Sequence, residues 1–476
     1  MSAIGDDMRG SVASGVPNPQ LWPDTATVDA GGRLLVADLD LAELAHRYGT
    51  PLYVYDEATI RARCWAFRAA FAARWPDTIV AYAGKAYLSL ALCRILLAEG
   101  LALDAVSLGE LRIALAAGFP AQRIHLHGNF KPRAELDAAL ALGVDRVVVD
   151  SLDELDEVEA LARAHGMRAA IWLRLCPDVE AQTHAAIQTG HAASKFGLDV
   201  ASGAAGEAAR RATASEWLDL AGLHAHAGSQ LLDPAAPAQV TSFLCDFAAH
   251  LYARTGAAIR EVSPGGGLGV AYAPGDAGLE VERYAQAVAD ALRAGVERHR
   301  LVPPRLVVEP GRAIVARAGV ALYTAGPRKV VPGGPTYLAV DGGMGDNPRP
   351  ALYEARYTAA APACIRTAKE ELEERDERER VTVVGRYCES GDVLAREVML
   401  PRVAPGEILA IPVSGAYHLA MASNYNAVPR PAVVFVREGQ ARLVRRRETP
   451  DDLLRLEQGL EVEEGEKGEE SGGDHD

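Results

Sequence analysis

The sequence has no excess of basic residues, no long apolar run and no basic, apolar start. Its 49 Lys and Arg are outnumbered by 64 Asp and Glu, and the formal net charge is -15. This balance excludes an extended basic surface for nucleic acid or anionic lipid. Charged residues break every apolar stretch well before the roughly 18 residues that a membrane helix needs. The amino terminus lacks the pattern of a secretion signal. We therefore expect a cytoplasmic protein that acts on a small molecule.

Closely spaced cysteine pairs are also missing. The six cysteines stand far apart, at positions 64, 93, 176, 245, 364 and 388. Without a CxxC pair, neither a zinc site nor thioredoxin-like redox chemistry is indicated, and we predict no metal site. This usage is typical of a protein from a reducing compartment.

What the sequence does have is length and a regular alternation of patterns. Its 476 residues are 49% hydrophobic, which is enough for more than one core. Between Thr78 and Pro310, short apolar runs alternate with amphipathic segments, as expected for βα units with buried parallel strands. Eight such runs predict a (β/α)8 barrel of the TIM type. The runs are Ile79 to Tyr82, Ala102 to Val106, Arg123 to Leu126, Arg146 to Asp150, Ala169 to Leu175, Leu220 to His224, Ile259 to Ser263 and Leu306 to Val308.

The pattern changes after Glu309. Val, Ile, Tyr and Thr alternate with polar residues, and Gly and Pro recur at short intervals, which predicts a C-terminal antiparallel β-sandwich or β-barrel domain. The strand-like Leu34 to Ala37 is expected to pair with this domain. A highly charged stretch at 366–380 is interpreted as a surface insertion that forms a solvated helix. The predicted divisions are a disordered tail at 1–30, an N-terminal segment at 34–50, the barrel at 51–315, the β domain at 316–456 and a disordered acidic tail at 457–476.

Lys85 follows the first apolar run of the predicted barrel. In such barrels the chemistry takes place at the carboxyl ends of the strands. Desolvation lowers the pKa of a lysine, and a neutral amine can form a Schiff base with a carbonyl cofactor. Taken alone, Lys85 is more often a surface lysine on a loop than a residue that binds a cofactor.

Later strand ends supply the other parts of a pyridoxal phosphate site. His226 and Ser229 follow the sixth run, and the glycines at 265–267 follow the seventh. Glycine backbone and a hydroxyl can bind phosphate, although glycine runs also form simple tight turns. Glu309 ends the eighth run, where a carboxylate can keep a pyridine nitrogen protonated.

In the β region, Cys388 stands beside Glu389 in a stretch with two further glycines and Asp392. A thiol near a cationic cofactor can supply a proton to the reacting carbon. The competing interpretation is that Cys388 is a small buried hydrophobic residue.

Three stretches, Cys388 to Asp392, Ser423 to Ala432 and Arg349 to Tyr353, resemble the diaminopimelate decarboxylases. These are a branch of the alanine-racemase-like, fold type III enzymes, and the resemblance runs from about Leu34 to Leu454. It implies pyridoxal 5'-phosphate as cofactor and decarboxylation of meso-2,6-diaminopimelate to L-lysine and CO2, the last step of lysine biosynthesis. It also implies a homodimer with active sites shared across the interface.

The resemblance implies a role for each matching residue. Lys85 carries the cofactor, and Cys388 donates the proton, with protonated Lys85 as a competitor. The cofactor-binding set is Lys85, His226, Ser229, Gly266, Gly267, Glu309, Gly311, Arg312 and Tyr417; the substrate-binding set is Arg312, Arg349, Tyr353, Glu389 and Tyr417.

Some positions depart from the family pattern, and they affect the shape of the pocket more than the type of reaction: Leu108, Phe130, Ala225, Ala227 and Tyr357, the last standing where a histidine is frequent. The rival interpretations are a decarboxylase of the same fold that acts on ornithine, arginine, lysine or carboxynorspermidine, an amino-acid racemase, and a catalytically silent homologue. A second carboxylate and a second amine on the substrate explain Arg312, Arg349 and Glu389 together, because planar guanidinium groups match carboxylates.

Overall fold

A computed structural model describes residues 15–177, 194–363 and 378–459. The chain starts with a small three-stranded antiparallel sheet made of β1 (Thr27–Val28), β2 (Leu34–Val36) and β3 (Leu39–Asp40). The strand pairing of Leu34 to Ala37 is thus with its neighbours in sequence, and single backbone hydrogen bonds link the segment to the β domain. The N–H of Leu34 donates to the carbonyl oxygen of Pro362 at 2.7 Å, and the N–H of Gly439 donates to that of Ala37 at 2.9 Å. Left-handed backbone at Ala37 and Asp38 turns β2 back onto β3.

The strand that does join the β domain comes slightly later in the chain. Helix α1 (Leu41–Tyr48) leads to β4 (Leu52–Asp56), which pairs with strands near the other end of the sequence. The sequence interpretation had included these residues in the barrel. Asp56 then caps α2 (Glu57–Ala72), accepting hydrogen bonds from the backbone N–H groups of Ala58 and Thr59. The barrel thus begins directly behind a strand of the other domain.

Eight parallel strands close into the predicted barrel, and all eight apolar runs are confirmed as its strands. They are β5 (Thr78–Ala83), β6 (Ala102–Ala105), β7 (Ile124–Leu126), β8 (Arg146–Val149), β9 (Ala169–Cys176), β11 (Leu218–His224), β12 (Glu261–Ser263) and β13 (Arg305–Val308), with the short β10 (Leu198–Asp199) pairing at the end of β9. Pairing of β13 with β5 and of β8 with β9 closes the ring.

The interior of the barrel is packed around Trp172, which is buried among small residues such as Ala81, Ala102 and Ala221. Gly222 is required beside it, because a Cβ there would lie 2.8 Å from the indole ring and 2.6 Å from the carbonyl oxygen of Glu261. The surrounding helices are α3 (Leu90–Ala98), α4 (Leu108–Ala116), α5 (Arg133–Leu142), α6 (Leu152–His165), α7 (Ala204–Ala214), α8 (Ala235–Thr255), α9 (Val281–His299) and α10 (Arg312–Val315). None of the helices in the described ranges is long and apolar enough to cross a membrane.

The second domain is built on one mixed sheet with the order β17-β16-β15-β14-β4-β19-β20, and β18 pairs with β14. Most neighbours are antiparallel, but β15 with β16 and β4 with β19 are parallel, a feature that the antiparallel prediction did not contain. The elements are β14 (Gly319–Val330), β15 (Thr336–Val340), α11 (Arg349–Tyr353), β16 (Arg378–Val384), β17 (Val393–Pro401), β18 (Ile408–Ile411), β19 (Ala432–Arg437), β20 (Gln440–Arg445) and α12 (Pro450–Leu454).

The charged stretch at 366–380 falls mostly outside the described residues. Its last three residues, Arg378 to Arg380, form the start of β16 and pair with β17. The solvated-helix interpretation is therefore wrong for this end of the stretch. Arg328 of β14 forms an ion pair with Glu379, which favours the strand over an independent helix.

Candidate active site

A cavity of about 360 Å³ opens at the carboxyl ends of the barrel strands. It is where a barrel of this kind places its chemistry. The structure brings together on its wall nine of the residues singled out from the sequence: Lys85, His226, Ser229, Gly266, Gly267, Glu309, Gly311, Arg312 and Tyr417.

Lys85 lies in a 3-10 turn, Gly84–Ala86, directly after β5. The turn is fixed on both sides. Gly84 packs against β6 so closely that a Cβ would lie 2.9 Å from the carbonyl oxygen of Asp104. On the other side, the backbone N–H of Tyr417 donates to the carbonyl oxygen of Ala86 at 2.8 Å. Tyr417 adopts a left-handed backbone conformation, with φ of 61°, to make this contact. The lysine therefore faces the cavity from a rigid turn that the β domain clamps.

Glu309 follows β13, the strand that pairs with β5 ahead of Lys85, and both of its carboxylate oxygens are engaged. Its Oε2 lies 3.1 Å from Nε2 of His224, and Ser263 donates its hydroxyl to Oε1 at 2.6 Å. Burial alone would raise the pKa of Glu309, but interactions with His224 and His127 and the Ser263 hydrogen bond hold it well below its ordinary value. Burial also lowers the pKa of His224 below its ordinary value. The cavity thus presents an ionised carboxylate.

Behind Glu309 is a buried polar cluster whose role the sequence interpretation missed. Nδ1 of His125 lies 3.1 Å from Asp104, and the ring packs against Trp172 with centroids 4.7 Å apart. Burial opposes the charge on His125, yet hydrogen bonds with Asp104 and Asp145 raise its pKa to about 9. His127, on the cavity wall, lies 3.5 Å from Asp104 and 3.9 Å from Glu309. The alternation of side chains along β7 could have revealed this cluster, because residues two apart in a strand, such as His125 and His127, point to the same side.

The same region also has the spacing of a metal site. Ligand-type atoms of His127, His224 and Glu309 lie within 4.8 Å of one another. Both Glu309 oxygens already accept hydrogen bonds, however, and this arrangement favours a carboxylate that partners an organic cation over a metal ligand.

The glycine run after β12 allows backbone to approach backbone. A Cβ at Gly266 would lie 1.9 Å from the carbonyl oxygen of Glu309, and one at Gly267 would lie 2.2 Å from that of Gly228. At Gly265 it would meet Nδ1 of His226 at 2.4 Å. Only glycine fits at these three positions, so the run is more than a simple turn: it brings peptide groups against the cavity and holds His226 beside it.

The end of the cavity near the glycines is cationic. Arg312 is buried, and it donates to the hydroxyls of Ser229, at 2.8 Å, and Tyr272. Its guanidinium lies 4.8 Å from the ring centroid of Tyr417, and its buried Nε has no hydrogen-bond partner among the described residues. Tyr272 was not singled out from the sequence, because an isolated tyrosine in a loop carries no local signal. A second guanidinium, from Arg349, lies 4.5 Å from the centroid of the Tyr272 ring.

Neither Arg312 nor Arg349 has a carboxylate within ion-pair distance in the described ranges. The neighbours of Arg349 are instead Tyr272 and Tyr357, and it donates to the Tyr357 hydroxyl. Charge interaction with the two arginines pulls the pKa of the Tyr272 phenol down, against the effect of its burial. Two buried cations without a counter-ion are costly unless an anion binds beside them. This end of the site is therefore built for anions.

Arg349, Tyr353, Cys388 and Glu389 do not line this cavity. Cys388 and Glu389 are exposed, and Glu389 accepts a hydrogen bond from the Tyr425 hydroxyl at 2.8 Å. The interpretation of Cys388 as a small buried hydrophobic residue is therefore wrong. Within one chain, the predicted proton donor and the predicted lysine belong to separate surfaces.

The cavity suits pyridoxal phosphate. It has an amine on a rigid turn, an ionised carboxylate at the neighbouring strand end, a histidine packed against Gly265, and a cradle of glycine backbone, a hydroxyl and a guanidinium for a phosphate. The barrel and this cavity define a pyridoxal-dependent decarboxylase. In agreement, residues 57–316 match the family model described as pyridoxal-dependent decarboxylase, pyridoxal binding domain.

Whole-chain comparisons narrow the assignment. The chain is 42% identical to the diaminopimelate decarboxylase of Bacillus subtilis, with 91% of this chain and 97% of the relative covered. It is 46% identical to that of Actinosynnema pretiosum, with 92% and 95% covered. The crystal structure of the M. jannaschii diaminopimelate decarboxylase in co-complex with L-lysine superposes with a TM-score of 0.83 at 35% identity, covering 90% of this chain and 97% of that one. The chain belongs to the diaminopimelate decarboxylase family.

Proposed function

We propose that this enzyme decarboxylates meso-2,6-diaminopimelate to L-lysine and CO2, the last step of lysine biosynthesis. The observation that carries the proposal is the pair of buried guanidiniums, Arg312 and Arg349, beside the cavity that contains Lys85. One anion to be held there is the cofactor phosphate. A substrate with a distal carboxylate supplies the second. Ornithine, arginine and lysine have no carboxylate other than the one that leaves.

Each cavity residue receives a role in cofactor binding. Lys85 attaches the cofactor through its amine, His226 packs against the ring, and Glu309 partners the ring nitrogen. When bound, pyridoxal phosphate supplies an electron sink for the pair of electrons that departing CO2 leaves behind. The phosphate is held by Ser229, Gly266, Gly267, Gly311, Arg312 and Tyr417. With its pKa held low and both oxygens hydrogen-bonded, the Glu309 carboxylate would hold that nitrogen protonated.

The distal end of the substrate needs groups of both charges. Arg349 and Arg312 bind the distal carboxylate with their forked donors, and Tyr353 and Tyr417 complete its pocket. Glu389 binds the distal ammonium. Arg312 stands between the two anions, since it already contacts Ser229 on the phosphate side and Tyr272 on the Arg349 side. Correct placement of both ends presents the other carboxylate for loss.

Cys388 donates the proton to the carbon that has lost CO2, and it comes from a second subunit. Cys388 and Glu389 are exposed and lie outside the cavity of their own chain, which supports a homodimer whose active sites combine two chains. None of the five cysteines of the described ranges forms a disulfide, and this suits a reducing, cytoplasmic setting.

The test is turnover of the purified, cofactor-loaded protein with meso-diaminopimelate, set beside L-ornithine, L-arginine and L-lysine. We expect CO2 release and L-lysine formation from diaminopimelate alone. Lys85→Ala should remove both turnover and the visible absorbance that borohydride abolishes. Preference for another amino acid would overturn the substrate assignment and leave the cofactor chemistry standing.

Site sharing is tested by mixing two defective variants. Lys85→Ala and Cys388→Ala subunits, unfolded and reassembled together, should recover about a quarter of wild-type activity, because half of the dimers are mixed and each has one intact site. Each variant reassembled alone is the control. No recovery in verified mixed dimers would contradict a shared site.

A further inference from the structure

A chain of hydrogen bonds runs from Arg349 into the interior of the β domain. Arg349 bonds to the hydroxyl of Tyr357, which lies 2.8 Å from Nε2 of His418. Nδ1 of His418 lies 3.2 Å from the hydroxyl of Tyr53, and that hydroxyl donates to the carboxylate of Asp346 at 3.1 Å. All five residues are buried. Side chains from four separate parts of the sequence thus meet behind one arginine.

The two ends of the chain determine the direction of every hydrogen bond in it. Asp346 accepts from Tyr53 and also from Tyr323, at 2.6 Å. Tyr53 must then accept from Nδ1–H of His418, which leaves Nε2 as an acceptor for the hydroxyl of Tyr357. The oxygen of Tyr357 is consequently free to accept from Arg349. One arrangement of protons satisfies the whole chain, and it points an acceptor at the guanidinium.

His418 keeps this arrangement by remaining neutral. Burial, together with the nearby charges of Arg349 and Arg312, lowers its pKa well below the ordinary value. A protonated ring would turn a donor towards Tyr357 and add a third cation beside two arginines. A neutral imidazole is the one form that both accepts from Tyr357 and donates to Tyr53.

We propose that Tyr357 and His418 are positioning residues that orient the Arg349 guanidinium for the distal carboxylate of the substrate. The inference rests on the proposed function and deepens it. The guanidinium carbon of Arg349 lies 4.5 Å from the centroid of the Tyr272 ring, a contact that holds the charge in place. The Tyr357 hydroxyl fixes the direction of one N–H donor, so the other donors face the substrate. Without it, the positive charge stays and its forked geometry is lost.

This role predicts a selective defect. Binding of a ligand with a distal carboxylate should weaken, whereas binding of one without it should not change. L-lysine retains the distal carboxylate of diaminopimelate, and 1,5-diaminopentane has the same two amines and no carboxylate. Inhibition by these two compounds therefore separates the orientation of Arg349 from the general state of the pocket.

The experiment compares Tyr357→Phe and His418→Leu with the wild-type enzyme, loaded with cofactor. In both variants we expect the KM for diaminopimelate and the inhibition constant of L-lysine to rise roughly tenfold, the loss of one hydrogen bond to a charged group, with kcat within about threefold. The inhibition constant of 1,5-diaminopentane should stay within about twofold of wild type. His418→Gln, whose amide can accept from Tyr357 and donate to Tyr53, should restore most of the affinity.

Tyr55→Phe is the matched control, since it also removes a buried tyrosine hydroxyl of the same sheet, one that donates to the carbonyl oxygen of Gly415 at 2.9 Å. It should leave both inhibition constants unchanged. Equal weakening of both inhibitors, or none, in Tyr357→Phe overturns the inference while wild-type turnover of diaminopimelate still upholds the proposed function. If Tyr357→Phe does not fold, the same comparison of the inhibition constants of L-lysine and 1,5-diaminopentane in His418→Leu and His418→Gln tests the inference.

Discussion

The two ends of the cavity follow opposite electrostatic plans. At one end, Glu309 is a buried charge whose oxygens both accept hydrogen bonds, from His224 and Ser263. At the other, Arg312 on the cavity wall and Arg349 behind Tyr272 are buried cations whose neighbours are hydroxyls and aromatic rings. A fully bonded charge is held in one state and one place. A cation without a carboxylate partner is available to an anion that binds, which in the proposed function is the cofactor phosphate at Arg312 and the substrate carboxylate at both arginines.

Replacement of Glu309 should have the largest effect. Glu309→Gln keeps the shape but removes the charge that we propose holds the ring nitrogen protonated, so we expect kcat to fall by roughly 10² to 10³-fold. Cofactor should remain bound, as judged by its visible absorbance. Ser263→Ala keeps the charge and removes one hydrogen bond, and it should reduce kcat by no more than about tenfold. Equal losses in the two variants would mean that hydrogen bonding, and not ionisation, is what this end provides.

Replacement of Arg349 should impair the use of substrate and leave the cofactor bound. Arg349→Lys keeps a charge but not the fork, and we expect kcat/KM for diaminopimelate to fall about 100-fold with cofactor absorbance intact. Absorbance titration with pyridoxal phosphate and steady-state kinetics measure the two effects separately. If this variant also lost the cofactor, the two guanidiniums would form a single phosphate site, and the division between cofactor and substrate ends would be wrong.

The buried polar cluster behind Glu309 should also contribute pH-dependent stability. The pKa of His125 is raised from 6.5 to about 9 by Asp104 and Asp145. A raised histidine pKa stabilises the fold fully below the unfolded value, and this contribution is lost as pH rises through the folded value. The unfolding free energy of the wild type should therefore fall between pH 6.5 and 9 by about 2 kcal/mol more than that of His125→Gln. If the unfolding free energies of the two proteins fell by the same amount across this pH range, His125 would be shown to be neutral.

The same contrast separates what could be predicted from the sequence from what could not. Lys85 and Glu309 stand at the ends of apolar strands, and a barrel gathers strand ends at one mouth, so their meeting followed from the pattern. Tyr272, Tyr357 and His418 come from loops of two domains, and no local periodicity relates them. Tyr272 and His418 were identified only once their contacts with Arg312 and Tyr357 were visible, and Tyr357 was noted in the sequence only as a departure from the family pattern.

The errors in the fold have a related cause. The strand β4 immediately precedes a barrel helix, so proximity in sequence assigned it to the barrel, yet its partners β14 and β19 lie more than two hundred residues away. Hydrophobic pattern identifies a buried strand but carries no information on which distant strand it pairs with. For the same reason, the sequence did not reveal that Leu34 to Val36 pairs with β1 and β3.

The smallest expected effect is the change in stability when the buried charge of Arg349 is removed. Arg349→Met removes a buried cation that has no carboxylate partner in the described ranges, at the loss of a hydrogen bond to Tyr357 and of stacking on Tyr272. The cost of burying the charge is removed together with the stabilisation from these two contacts. The unfolding free energy without substrate should therefore change by no more than about 1 kcal/mol in either direction. L-lysine should then raise the melting temperature of the wild type and not that of the variant, because only the wild type binds the carboxylate. A loss above about 3 kcal/mol in the free enzyme would show that Arg349 is a structural cation and would break the contrast between the two ends.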